Sequence, residues 1–267
     1  MPEKTREKKG ETGKASNSKV ALLADILDRL ANSENPLGVS ELGREYSKNK
    51  VYMHRLLSSL ESIGWVSKDT ISKRFKIGDK LITFGLLLTS RFGVAKIALP
   101  YLYELSDITN ETTSLCIRVG YERIFVQGIP AKHVDHQPVI LGQRFPLWLG
   151  ATGMAMTAYL SDAEIDKVIE IMRREHPIFN RETTFNTDQY RNKLKEIKKR
   201  GYAITCGDHR PDICALAAPI FDQTNAVIGA LVVRGKVPSF DMEKAEKFSS
   251  TVVEMANKIK REIETLS

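Results

Sequence analysis

Residues 39–78 read VSELGREYSKNKVYMHRLLSSLESIGWVSKDTISKRFKIG, and this stretch decides the fold of the front of the chain. Ser40 is placed to cap a short helix carrying Leu42 and Tyr46, and residues 47–49 make a polar turn. A second helix is predicted over about 50–63, where Met53, Leu56, Leu57 and Leu60 recur at three- and four-residue steps and Gly64 ends the run. Residues 65–67 and 74–77 then read as two short strands around Lys68, Asp69 and Thr70. Helix, turn, helix and basic hairpin in this order make a winged helix-turn-helix, an element that binds DNA.

Ahead of it, Val20, Leu22, Leu23, Ile26, Leu27 and Leu30 form one apolar helical stripe over 19–31. Residues 1–18 have almost no apolar side chains and are expected to be a disordered tail. The DNA-binding domain is therefore placed at 19–78. Charge follows the same division. Residues 1–95 hold 17 basic against 11 acidic side chains and 96–267 hold 23 against 22, so most of the net charge of +7 lies in front. A basic front suits a polyanion, although charge alone does not separate DNA from RNA or acidic lipid.

At 267 residues the chain has room for a second domain. Residues 79–94 (DKLITFGLLLTSRFGV) are apolar and helical, too greasy for an exposed linker, and are expected to pair with a second subunit. Beyond them, 95–267 alternates helices with strands: a helix near 95–109, strands at 112–119 and 123–129, helices near 151–159, 162–172 and 188–200, a final strand pair and a C-terminal amphipathic helix. That mixture reads as α+β with an antiparallel sheet. No run of about 18 apolar residues suggests a membrane span, and the polar N-terminus is unlike a signal peptide, so a cytoplasmic protein is expected. Cys116, Cys206 and Cys214 are an odd set without CxxC spacing, for which no structural disulfide is expected.

A recognition helix turns the outward residues of its first turns to base edges, here Asn49, Lys50, Val51, Tyr52, His54 and Arg55. Arg55 suits guanine; Asn49 either reads adenine or caps the helix. Lys48, Lys50, Lys68, Lys73, Arg74 and Lys76 suit phosphates, the alternative being that they merely solvate a surface.

SKNKVYMHRLL at 47–57 and LESIGWV at 60–66 resemble the IclR family of transcriptional regulators, whose members show a stretch like GLPKSTVHRLL followed by LExxG[YF]V. Lys50, His54, Arg55, Leu56, Leu57 and Gly64 match, while Val51 and Tyr52 replace small hydroxyl residues. RFPLWLGATGMA at 144–155, GYA at 201–203 and ALAAPIFD at 215–222 continue the likeness to the C-terminus. The resemblance implies a GAF-like effector domain over 95–267 behind the winged helix. It also implies a homodimer or homotetramer on a near-palindromic double-stranded operator, with regulation of a catabolic operon by a small molecule.

The family's effector site maps onto Trp148, Gly150, Ala151, Thr152, Thr205, Ala215, Val232 and Arg234. Gly150, Ala151 and Thr152 would leave helix N-terminal N–H groups free for an anion, unless their small size serves packing alone. Trp148 and Met154 stand where relatives have histidine and lysine, Ala215 where they have cysteine, and Val232 and Arg234 where serines are common. Ile228, Ala230, Val232 and Arg234 would share one strand face. The pocket is therefore more apolar, and an inward Arg234 would clamp a carboxylate; at a strand end it would instead stand in solvent. An aromatic or otherwise bulky acid is the expected ligand.

Cys206, His209 and Cys214, with Asp208, have spacing that zinc can use but lack an evident fourth ligand, and no metal or cofactor is expected. His133, Asp135 and His136 read as a solvated polar loop, the alternative being that it covers the pocket. Neither set has the order of a catalytic triad, and a non-enzyme is expected. The competing reading is a GAF-type thiol redox sensor or enzyme with a protein-docking winged helix; an RNA-binding winged helix is weaker, for want of aromatic stacking platforms.

Overall fold

The alternation of helical and strand periods is realised in a computed structural model that describes residues 19–91, 93–133, 139–175, 186–208 and 210–265, with backbone only at 88–91. The expected tail at 1–18, and Asp135, His136 and His209, lie outside the described residues. The chain divides into two units, Met1–Arg91 and Phe92–Ser267.

In the first unit, α1 (Lys19–Ala31), α2 (Val39–Glu45) and α3 (Lys50–Ser62) precede the strands β1 (Val66–Lys68) and β2 (Phe75–Ile77), and α4 (Asp79–Arg91) ends it. Ile26, Leu30, Leu42, Met53, Leu57, Leu60, Val66 and Phe75 meet in one buried core. Each is the inward member of a periodic pattern, and burying side chains of this size contributes about 1.5–3 kcal/mol apiece. The cap of α2 differs from expectation. Gly38, not Ser40, is the N-cap, and its N–H donates to the Glu41 carboxylate at 3.3 Å. Glu41 sits three residues on, so the box closes two residues earlier than a hydroxyl at Ser40 would allow.

The second unit is built on a six-stranded antiparallel sheet in the order β5-β4-β3-β8-β7-β6. Its strands are β3 (Thr112–Val119), β4 (Glu122–Ile129), β5 (Arg144–Pro146), β6 (Ala203–Cys206), β7 (Ile213–Phe221) and β8 (Val227–Lys236). Alternate residues feed two cores. On one face α5 (Gly93–Thr109) and α9 (Met242–Thr265) cover Leu115, Leu216, Leu231 and Val233. On the other, α6 (Gly150–Thr157), α7 (Asp162–Glu175) and α8 (Thr187–Arg200) cover Cys116, Phe125, Ala217, Ala230 and Val232.

Two expectations need correction. The register of β7 against β8 shifts between Ile220 and Phe221. The shift moves the alternation by one residue, so Val227 packs on the α6 side and Ile228, expected to share the face of Val232, packs on the other. Cys206 and Cys214, for which no disulfide was expected, are directly opposed across β6 and β7, 4.0 Å apart at Cα, and form one. The spacing of eight residues hid this because only the pairing of β6 with β7 brings the two together.

Candidate DNA interface and effector pocket

The DNA-facing candidate is set by how α2 and α3 meet. Lys48 N–H donates to Gly43 O at 2.8 Å, and a Cβ on Gly43 would fall 2.9 Å from Lys48 O, so only glycine admits this turn. Asn49 then caps α3, its side chain accepting the Tyr52 N–H at 2.8 Å, which decides between the two roles open to it. With Met53, Leu57 and Leu60 buried, the opposite face presents Lys50, Val51, His54 and Arg55 to solvent, with Val51 72% exposed. Tyr52 is half-buried under the Lys48 ammonium, 6.0 Å from its ring centre.

The wing is internally braced. Asp69 accepts N–H groups of Ile71 and Ser72 at 3.2 and 2.6 Å and the Ser72 hydroxyl at 2.7 Å; these bonds, those of Ser72 foremost, hold its carboxyl below the usual range. Lys73 and Lys76 are exposed, as a phosphate role requires. Arg74 differs: its Nε donates to Pro36 O at 2.7 Å and its Nη2 to Glu41 at 2.5 Å, so it ties the wing to the cap of α2. Ile71, 91% exposed at the wing tip, is a residue the sequence reading passed over.

In the second unit, one concave site on the α6 side is lined by Gly150, Ala151, Thr152, Thr205, Ala215, Val232 and Arg234, seven of the eight expected positions. Cross-strand register brings them together: Arg234 faces Ala215 and Ala215 faces Thr205, in one row over three strands. Its enclosed and open space totals about 530 Å³. Trp148 is the exception. It is 6% exposed within the core, its indole N–H donating to Glu175 at 3.3 Å, and it lines no part of the site. Residues 147–149 are all buried, so the indole packs toward the end of α7 instead.

The α6 N-terminus is also not as open as expected. Ala151 N–H donates to Thr205 Oγ1 at 3.0 Å, so the threonine hydroxyl relays polarity into the site in place of that N–H. Arg234 faces the site: its guanidinium carbon lies 5.2 Å from the Phe125 ring centre, and burial lowers its pKa. Arg123, Phe125, Phe145, Asp208, Arg210 and Ile213 complete the lining, and none was anticipated. The available signal was the pair Arg123 and Phe125, two apart on a strand and hence on one face.

Arg123 is 5% exposed, and burial above all pulls its pKa down to about 10, so it remains charged at neutral pH. Its guanidinium carbon lies 5.2 Å from the Phe145 ring, and Nη1 donates to Pro146 O at 2.5 Å. Phe125 and Phe145 stand edge to face with centres 6.0 Å apart. Behind them burial pushes the Cys116 thiol up to about 12, the reverse of what a reactive thiolate needs. Cys206 and Cys214 are joined in the disulfide, and among the described residues no group of three or more His, Cys, Asp or Glu side chains could hold an ion. Among those residues, too, no helix is long and apolar enough to cross a membrane.

Comparison with known proteins covers both units. The model described as bacterial transcriptional regulator IclR C-terminal matches residues 87–261, and that of the IclR helix-turn-helix domain matches 23–70. The HTH-type transcriptional regulator KipR of Bacillus subtilis strain 168 is 27% identical over 227 residues, 85% of this chain and 90% of that protein. The crystal structure of the Thermotoga maritima IclR is 25% identical with a TM-score of 0.74, covering 91% of this chain and 98% of that one. An IclR homologue of Microbacterium hydrocarbonoxydans, solved in complex with 4-hydroxybenzoate, shares the fold at a TM-score of 0.79 and 18% identity, over 93% of this chain and all of that one. The chain belongs to the IclR family and is a DNA-binding transcriptional regulator.

Proposed function

We propose that this regulator acts in the cytoplasm as a homodimer or homotetramer on a near-palindromic operator of a catabolic operon, and that a small organic acid, aromatic or similarly bulky, sets its occupancy. The observation that carries the DNA half is the α3 face: Lys50, Val51, His54 and Arg55 stand exposed around a helix whose opposite side is locked in the core. Lys50, Tyr52, His54 and Arg55 meet the major groove, and Lys73 and Lys76 the backbone, while Asn49 and Arg74 act by positioning α3 and the wing. Self-association is supported by α4, on which Ile82, Phe84, Leu86 and Leu87 are 43–66% exposed, more apolar surface than a lone helix keeps in water.

The acid is supported by the lining: Arg123, Arg210 and Arg234 outnumber Asp208, and two phenylalanines flank the space. Effector binding changes operator affinity only by the difference in its affinity for the DNA-bound and free arrangements. Selection of duplexes from a random library by the full chain tests the reading. Enrichment of an inverted repeat is expected; enrichment of single half-sites would remove the palindromic operator, and recovery of no preferred sequence would remove the proposed operator recognition.

A further inference from the structure

Arg123 is a buried cation that meets no counter-charge among the described residues. Among the described residues no carboxylate pairs with it; its charged neighbour across the site is another cation, Arg234. Nη1 is satisfied by Pro146 O, yet Nε is buried with no hydrogen-bond partner. A guanidinium removed from water costs several kcal/mol unless an anion meets it, and a half-satisfied one is retained only where something else completes it. Arg123 is also fixed: it stacks over Phe145, and a Cβ on Gly153 of α6 would fall 2.8 Å from Nη1. The guanidinium is thus held rigid at the wall of the site, its position set before any ligand arrives.

Arg234 is placed differently. It approaches from β8, two strands away across β3, and stacks over the other ring of the pair, Phe125. The two guanidinium groups therefore stack on different rings of one aromatic pair. A ligand with one carboxylate satisfies one of them. We infer that the effector is a diacid, one carboxylate held by Arg234 near Thr205 and the second completing Arg123. Each end is then a charge-assisted contact, and the body between them rests on Phe125 and Phe145. This inference rests on the reading of the site as an acid pocket and adds the number and placement of the acid groups.

Calorimetry on the full chain at pH 7.5 tests it with matched probes: benzoate against the three benzenedicarboxylates, and butyrate, hexanoate and octanoate against succinate, adipate and suberate. At least one diacid is expected to bind ten-fold or more tightly than its monoacid, and Arg123→Gln to weaken that diacid at least five-fold more than it weakens the monoacid. Equal binding of every pair by the wild type overturns the inference and leaves the acid pocket standing; no binding by any acid overturns both. Arg123→Gln that weakens both members of a pair equally marks the arginine as a brace for the β5–α6 turn and also overturns it. Where that variant does not fold, the wild-type comparison decides alone, and Arg123→Lys, which keeps the charge without the planar fork, is expected to retain part of the preference.

Discussion

The cations of the two units work under opposite conditions. Arg55, Lys50, Lys73 and Lys76 stand exposed to water on the first unit. Arg123 and Arg234 are drawn into the second unit beside phenylalanine rings, and burial lowers the pKa of both. An exposed cation costs the fold nothing and acquires meaning from what approaches it; a buried one needs its partner as a condition of being there. Mutations should therefore separate binding from stability in front and couple them behind.

The largest expected effect tests the uncoupled side. Arg55→Ala should weaken operator binding by roughly ten- to hundred-fold, the range of a lost bidentate base contact, with the thermal midpoint unchanged. Arg55 is exposed, and its backbone carbonyl accepts the Ser59 hydroxyl proton. The measurement is operator affinity by fluorescence anisotropy beside a thermal melt. A large fall in melting temperature would show that this face is part of the fold and would dissolve the contrast.

A smaller effect sharpens it from within the same helix. Asn49→Ala removes the 2.8 Å cap on Tyr52 N–H and should cost about 1 kcal/mol of stability in denaturant unfolding. Operator affinity should fall uniformly over sequence variants of the site, because a loosened helix end misplaces all its readers together. Relaxed preference at one base pair alone would make Asn49 a reader after all.

Legibility follows the same physical line. Periodicity along the chain carried the helices and most strands, and Asn49, Lys50, His54 and Arg55 were readable because an exposed helical face is local, set by residues within a dozen positions of one another. The pocket is assembled by register among β4, β6, β7 and β8, so Arg123, Phe125, Asp208 and Arg210 meet through pairings that no local pattern encodes. Resemblance supplied seven lining positions but misplaced Trp148, whose indole turns to Glu175. The Cys206–Cys214 bond and the altered facing of Ile228 have the same origin, a strand pairing and a register shift visible only across chains of backbone. Arg74 reads as one more wing cation until Glu41, 33 residues away, is seen beside it.

Asp208 gives the smallest effect and the one that asks whether the buried side behaves as a charge-counting site. It lines the pocket, Lys193 lies 3.8 Å from its carboxylate, and burial, the dominant influence, raises its pKa. When ionised it opposes an incoming acid; when protonated it does not. A raised pKa in the free site means that the neutral form persists above the usual carboxylate range. Affinity for a fully ionised probe such as benzoate should then decline as pH rises through the Asp208 transition and level off above it. The declining branch is read only above the probe's own pKa, where its charge is constant. Asp208→Asn should flatten the profile and tighten benzoate binding roughly two- to five-fold at neutral pH, the size expected of a partly exposed charge pair. A profile that keeps its slope in the variant would assign the titration to another group, and weaker binding in Asp208→Asn would mean that the carboxylate serves the site by holding Lys193 toward it rather than by its own charge.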